Sequence, residues 1–211
     1  MRILIAGDHP IVRKGVRETL LSAFTACEFI ESDDGLEAYS YLTTETFDLA
    51  IVEVFMPGKN GVDLVKDVLS VRPQTRFLVL SACSECEFAL RAYRNGAMGC
   101  LDNTEPLESL EAAAKRILSG KKYVSLEYAE LLIREHGGER RREDRLSDRE
   151  LCVIRSAAAG RRLSSIASEL NLSVKTVSTY KTRAMEKLGI SDNVELVVYA
   201  SRRGWIREKQ S

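Results

Sequence analysis

Apolar positions in the first 120 residues alternate between two kinds of segment. Short β-rich runs at Arg2–Ala6, Cys27–Glu31, Asp48–Val54, Arg76–Leu80 and Met98–Leu101 read as strands. Asp48–Val54 is almost continuously apolar, as expected of a strand buried on both faces. Between these runs the period changes to that of a helix. A helical stretch starts at Pro10, with Val12, Val16, Leu20 and Leu21 at helical spacing, and others cover 35–43, 61–71, 85–94 and 106–119. Pro10 and Pro106 suit a first helical turn, where no backbone N–H is needed. Five strands alternating with five helices predict an α/β fold built on a doubly wound, five-stranded parallel sheet. In such sheets the functional crevice lies at the carboxyl ends of the strands. Asp8, Glu53, Ser81 and the Leu101–Asn103 segment all fall at such ends.

After residue 120 the pattern changes. Residues 121–143 are expected to join two domains, 1–120 and 144–211, with a short amphipathic helix over Leu126–His136 and a charged Gly-Gly linker from Gly137 to Glu143. The arginines of that linker are candidates for phosphate contacts, although charge runs usually serve only to solvate a linker. From 144 the signals are purely helical. Ser147 and Glu150 have capping-box spacing, with Leu146 and Leu151 placed as a hydrophobic staple. Leu151, Ile154 and Ala158 share a face, and Gly160 ends the helix. A short helix over Leu163–Leu170 is followed by the turn Asn171-Leu172-Ser173, with Ser173 as N-cap. Val174–Leu188 follows, with Gly189 as its stop, and then Asp192–Arg203 with a second capping-box pair, Asp192 and Glu195. Short helices joined by a three-residue turn predict a small all-α helix-turn-helix domain.

Composition adds less than distribution. The 211 residues are 45% hydrophobic and 29% charged, a balance that fits a globular protein. No apolar run approaches the roughly 18 residues of a membrane span. The opening Met1-Arg2-Ile3-Leu4 meets a charge too early for a signal peptide, so a cytoplasmic location without membrane association is expected. Five cysteines in such a chain argue against a disulfide framework. The net charge of zero conceals an asymmetry. From Asp144 onward there are 13 Lys and Arg against 8 Asp and Glu, net +5, and before it 18 against 23, net −5. An acidic first part and a basic second part suit a regulatory domain coupled to a DNA-binding one.

On the Val174–Leu188 helix, Val177, Tyr180, Ala184 and Leu188 share the face expected to point inward. Lys175, Ser178, Thr179 and Thr182 share another, flanked by Lys181, Arg183 and Lys187. Small hydroxyl side chains can approach base edges in a major groove while cations meet phosphates; a merely solvated helix face is the plainer alternative. Leu146-Ser147-Asp148-Arg149-Glu150, Ile166-Ala167-Ser168-Glu169-Leu170, Leu172–Tyr180 and Lys187-Leu188-Gly189-Ile190, in that order and spacing, resemble the LuxR-type helix-turn-helix of the NarL/FixJ response regulators. The resemblance implies that Ser178, Thr179 and Thr182 read bases and that Lys175, Thr176, Lys181 and Arg183 hold the backbone of double-stranded DNA. It also implies dimerisation on DNA through the final helix.

The first 120 residues are similar to a response-regulator receiver domain. The similarity rests on Gly7-Asp8-His9-Pro10, Phe55–Gly61, Val79-Leu80-Ser81-Ala82 and Gly96–Leu101. Ordinary receivers phosphorylate an aspartate with the help of Mg²⁺, two acids after the first strand, a hydroxyl, an aromatic and a lysine. Of those six functional positions, Asp8 and Ser81 match here. The second acid is Gly7, the acceptor is Glu53, the aromatic is Cys100 and the lysine is Asn103. A glutamate carboxylate lies about one methylene too far out, and a misplacement near 1 Å can cost about a hundredfold in rate. The expected outcome is a degenerate receiver with weakened Mg²⁺ binding and no normal phosphorylation cycle. Glu53 acting as a fixed mimic of the phosphorylated state stays open, beside control by protein abundance, a partner protein or a ligand.

Cys83-Ser84-Glu85-Cys86 has C-x-x-C spacing, and Cys100 lies on the neighbouring strand. Redox sensing or metal binding by the three thiols stands against the plainer reading of three small residues. His9 is expected to shape the start of the first helix, and His136 has no assigned role. The sequence thus predicts a homodimeric, sequence-specific transcription regulator of the two-component type, not an enzyme, with no cofactor. A histidine kinase or another partner protein stays open. The rival readings are a receiver with residual phosphorylation acting as a phosphate sink, and a protein-interaction module.

Overall fold

The predicted strands form because each carries a buried apolar run. In the computed structural model, which describes residues 1–81, 86–102, 105–124, 142–203 and 205–206, the elements fall into two units, Met1–Gly137 and Gly138–Ser211. The first unit contains β1 (Arg2–Ala6), β2 (Glu28–Ser32), β3 (Leu49–Glu53), β4 (Phe77–Ser81) and β5 (Gly99–Asp102). All pairings are parallel, in the order β2-β1-β3-β4-β5. β3 and β4 are buried at every position, as their apolar runs predict.

The helices are α1 (Pro10–Ala23), α2 (Gly35–Thr44), α3 (Gly61–Val71), α4 (Cys86–Arg94) and α5 (Leu107–Leu118). α1 packs with α5, and α3 packs with both α2 and α4. One face of the sheet, with Ile3, Ile5, Leu49, Ile51, Leu78 and Leu80, buries against Val16 and Leu20 of α1 and Leu110, Ala113 and Ile117 of α5. Side chains alternate along each strand, so Leu4, Ala50, Val52 and Val79, also buried, serve the opposite layer. The strand order reverses direction between β1 and β3. That is where a doubly wound sheet opens its crevice, beside Asp8 and Glu53.

The second unit is helical: α6 (Asp148–Ala158), α7 (Leu163–Glu169), α8 (Val174–Leu188) and α9 (Asn193–Arg202), preceded by a 3-10 turn over Arg142–Arg145. Glu143 of that turn is buried, with Oε1 2.9 Å from Nε of Arg203, which ties the turn to the C-cap of α9. α8 packs on both α6 and α7, with Val177, Ala184, Leu188, Ile154 and Ile166 in the core. The turn between α7 and α8 puts Asn171 at φ 53°, a left-handed conformation that asparagine tolerates better than most residues. Ser173 then caps α8 by accepting from the Thr176 N–H at 3.1 Å. Gly189, at φ 71°, ends it.

The Ser147 capping box is complete: its Oγ accepts from the Glu150 N–H and Glu150 Oε2 accepts from the Ser147 N–H. Leu146 and Leu151, the two staple positions, are both buried. At α9 the second box differs from the sequence expectation. Asp192 accepts from the N–H groups of Val194 and Glu195, but Glu195 Oε2 takes the N–H of Ser191, one residue before the cap. The predicted helix at 126–136 and the linker residues 137–141 lie outside the described residues. Among the described residues no helix is long and apolar enough to cross a membrane.

Glu150 also accepts from Lys187 Nζ at 2.6 Å, linking the first turn of α6 to the last turn of α8. Burial pushes its carboxyl up, but the bonds from Lys187 and Ser147 outweigh burial and hold it below the usual range. Glu150→Ala is therefore expected to cost the helical unit about 1–3 kcal/mol in chemical denaturation. The carboxylate is depressed in the folded state, so its contribution is present above the unfolded value of about 4.3 and fades as pH falls through the lower folded value. The gap between the parent and Glu150→Ala should narrow accordingly in acid.

Candidate functional site

The carboxyl ends of β1 and β3 bring three groups together. Asp8 follows β1, His9 precedes α1, and Glu53 ends β3. Asp8 Oδ1 lies 2.7 Å and Glu53 Oε2 3.4 Å from the same atom, His9 Nδ1. The imidazole thus stands between two carboxylates and offers them one nitrogen. The shorter approach is a close contact and not an aligned hydrogen bond, since Asp8 Oδ1 has no hydrogen-bond partner despite the distance. Glu53 is only 5% exposed. Burial raises its pKa, against the lowering effect of His9, and Asp8 raises it further.

Two glycines make room for Glu53, one beside its carboxylate and one beside its backbone carbonyl. A Cβ on Gly7 would lie 2.3 Å from Glu53 Oε2, 2.6 Å from its Cδ and 2.7 Å from its Cγ. The glutamate therefore folds over the bare Cα of Gly7 and fills the space where an acid at position 7 would begin. A Cβ on Gly61 would lie 2.3 Å from the Glu53 carbonyl oxygen, so α3 can start there only as glycine. Arg13, reaching back from α1, donates through Nη1 to the Gly7 carbonyl at 2.5 Å and steadies the end of β1.

The remaining pocket positions are less tightly grouped. Ser81 is buried at the end of β4, opposite Asp102 in the β4–β5 register. Cys100 is fully buried on β5 and pairs with Val79, two residues below that rim. Asn103 and Cys83 lie outside the described residues, and so does the side chain of Cys86, the first residue of α4. The family resemblance implies Mg²⁺ here. Asp8, His9 and Glu53 present one ligand atom each, all within 4.8 Å of one another. Mg²⁺ takes oxygen ligands in a near-ideal octahedron. With an imidazole nitrogen already between the two carboxylates, this donor set does not fit it.

The second candidate site lies on α8. Lys175, Ser178, Thr179, Thr182 and Arg183 line one concave surface, and all five are exposed. Leu163 of α7, together with Val174 and Glu186, completes the lining; the sequence pattern did not single these out. Two predicted contact residues stand apart from this surface. Thr176 is engaged with the Ser173 cap, its Oγ1 2.8 Å from Ser173 Oγ. Lys181 donates to Asn193 Oδ1 at 2.7 Å, which links α8 to the first residue of α9. Val177, Ala184 and Leu188 are buried on the inner face and Tyr180 is half-buried.

Two features of the β1–β3 pocket escaped the sequence. His9 was expected only to shape the start of α1, although its place beside Asp8 was a signal. The contact between Gly7 and Glu53 had one signal, the departure of both residues from the receiver pattern at once.

Comparison with known proteins bears on both units. Residues 3–115 match the response regulator receiver domain family, and residues 144–200 match the bacterial regulatory proteins of the luxR family. The chain is 35% identical over 199 residues to the fimbriae Z protein of Salmonella typhimurium, covering 94% of this chain and 95% of that one. Among solved structures it is similar to RcsB from Salmonella enterica serovar Typhimurium bound to promoter P1flhDC in the presence of phosphomimetic BeF3⁻. The TM-score is 0.61 and the identity 27%, over 96% of this chain and 98% of that one. A structure of two RcsB dimers bound to two parallel DNAs gives a TM-score of 0.58 at 28% identity, covering 95% and 98%.

Gly7→Ala is expected to force the buried Glu53 side chain aside and to cost about 1–3 kcal/mol of stability, as overpacking does. Combined with Glu53→Ala, the same change should cost less than it does alone; thermal denaturation of the two singles and the double reads this coupling. Glu53→Gln tests the buried charge. A carboxyl raised by the fold disfavours the folded state once ionised, so the glutamine variant should melt above the parent at pH 7. That advantage should shrink as pH falls through the raised value.

Proposed function

Because the chain belongs to the response regulators that couple a receiver domain to a luxR-family helix-turn-helix, we propose that it is a transcription regulator that binds specific sites on double-stranded DNA as a homodimer, without a phosphorylation cycle. The observation that carries this reading is a contrast between the two units. The outer face of α8 is complete, with its cations and small hydroxyls exposed together. The β1–β3 pocket has its would-be acceptor folded onto Gly7 and engaged by His9.

The chemistry supports each half. Phosphate contacts from Lys175 and Arg183 position a duplex, and the hydroxyl side chains between them meet base edges. RcsB, similar in fold and over nearly the whole chain, is seen on DNA as dimers. In the pocket, in-line attack on a phosphoryl donor needs a carboxylate held at the right place and a cation to offset charge. Glu53 sits in the space of the missing acid, and the donor set does not suit Mg²⁺. A buried carboxylate held in this way supports a fixed acid that belongs to the fold. A site inside the cytoplasm, where the DNA is, follows from the same reading.

Purified full-length protein, never exposed to a phosphodonor, should enrich one motif from a random pool of duplexes, with affinity that falls steeply as salt rises. Incubation with acetyl phosphate and Mg²⁺ should leave its intact mass unchanged and the enriched motif the same. A phosphoryl adduct in the pocket that raises affinity would overturn the phosphorylation-independent half. Failure to enrich any motif would overturn the DNA-binding half.

A further inference from the structure

The hydroxyls on the outer face of α8 are less available than the sequence suggests. Thr179 Oγ1 donates to the carbonyl of Lys175 at 3.0 Å, and Thr182 Oγ1 donates to the carbonyl of Ser178 at 3.1 Å. Each threonine has spent its only hydroxyl proton on its own helix, one turn back. Both residues are exposed. What each can still offer a partner is a Cγ2 methyl and an oxygen that only accepts.

The surroundings extend this apolar character. Val174, at the first turn of the same helix, is 49% exposed, and Leu163 lines the same concavity. Neither asparagine nor glutamine, the side chains that pair with adenine through two bonds, lines it among the described residues. Lys175 and Arg183 supply the positive charge.

Resting on the reading of this face as a DNA-binding one, we propose that α8 recognises thymine 5-methyl groups, with Thr179 and Thr182 as the residues that select T·A base pairs. The major-groove edge of that pair is suited to them. It displays the thymine methyl, which takes apolar contact, and the adenine N6 amino group, which donates to an acceptor. Guanine displays two acceptors and offers a proton-spent hydroxyl nothing. Cytosine offers a donor but no methyl. The selected base is therefore the one that matches both groups left to each threonine.

Deoxyuridine tests this directly, because it pairs as thymine does and lacks only the methyl. A site is first enriched from a random pool with the full-length protein, and each thymine in it is then replaced singly by deoxyuridine. Loss of one buried methyl is expected to weaken binding about fourfold at one or two positions in each half-site. Thr179→Ser keeps the hydroxyl and loses the methyl; Thr179→Val keeps the methyl and loses the hydroxyl. The serine variant should bind about fourfold more weakly than the parent and should lose its sensitivity to deoxyuridine at one position. The valine variant should keep that sensitivity. Thr182→Ser and Thr182→Val repeat the comparison at the next turn, and far-UV circular dichroism confirms that each helix is intact. An enriched site in which no deoxyuridine weakens binding, or serine variants that keep full sensitivity to deoxyuridine at every position, overturns methyl recognition and leaves DNA binding standing. Absence of any enriched site overturns both.

Discussion

Glu53 is held between two glycines, and the geometry of the first unit's crevice follows from that fit. Gly7 leaves room for its side chain and Gly61 for its carbonyl oxygen. The first clearance lets β1 and β3 run side by side up to their carboxyl ends with a long acid between them. The second lets α3 begin directly against the end of β3, where the Gly61 N–H donates to the Val54 carbonyl at 2.9 Å. His9 and Arg13 then fasten α1 to the same place, one through the two carboxylates and the other through the Gly7 carbonyl. A buried carboxylate is costly unless something compensates it. Here the compensation comes from an imidazole on the neighbouring loop.

The helical unit depends on a different device, the fixing of α8 at both ends. Ser173 satisfies its first turn, Gly189 turns the chain away from its last, and Lys187 reaches across to the capping glutamate of α6. Lys181 adds a link to α9. One side of the helix is consumed by packing, and the opposite side carries charge and small groups with no structural duty beyond their own backbone bonds. A face of that kind is free to meet a ligand without any part of the core having to move.

Much of this architecture was legible in the sequence, because it depends on local periodicity. Among the described residues, the ten strands and helices of the first unit and the four α-helices of the second lie where the apolar period and the caps put them. The differences are at the ends, where neighbours decide. β2 starts at Glu28 and not at Cys27 because the Glu28 N–H donates to the Met1 carbonyl. β5 extends to Asp102 because that residue pairs with Ser81. Glu195 bypasses the cap it was spaced for and takes the Ser191 N–H. The Gly7–Glu53 contact was harder to read for a stronger reason: its partners meet only after β1 and β3 have paired, so no local period encodes it and its one signal was the joint departure of both residues from the receiver pattern. The threonine hydroxyls on α8 show the converse. Their positions were readable, while their bonding depends on side-chain rotation that sequence does not display.

Those two tethered hydroxyls also bear on how a complex would form. Long, mobile side chains lose rotational freedom when they dock, at roughly 0.5–1.5 kcal/mol for each one immobilised. Thr179 and Thr182 have short, β-branched side chains already locked by a bond to the backbone, so almost all of that entropy is lost on folding and little on association. The contact surface is thus preorganised. Such a surface gains affinity without adapting, and it has correspondingly little means of adjusting to a base it does not already fit.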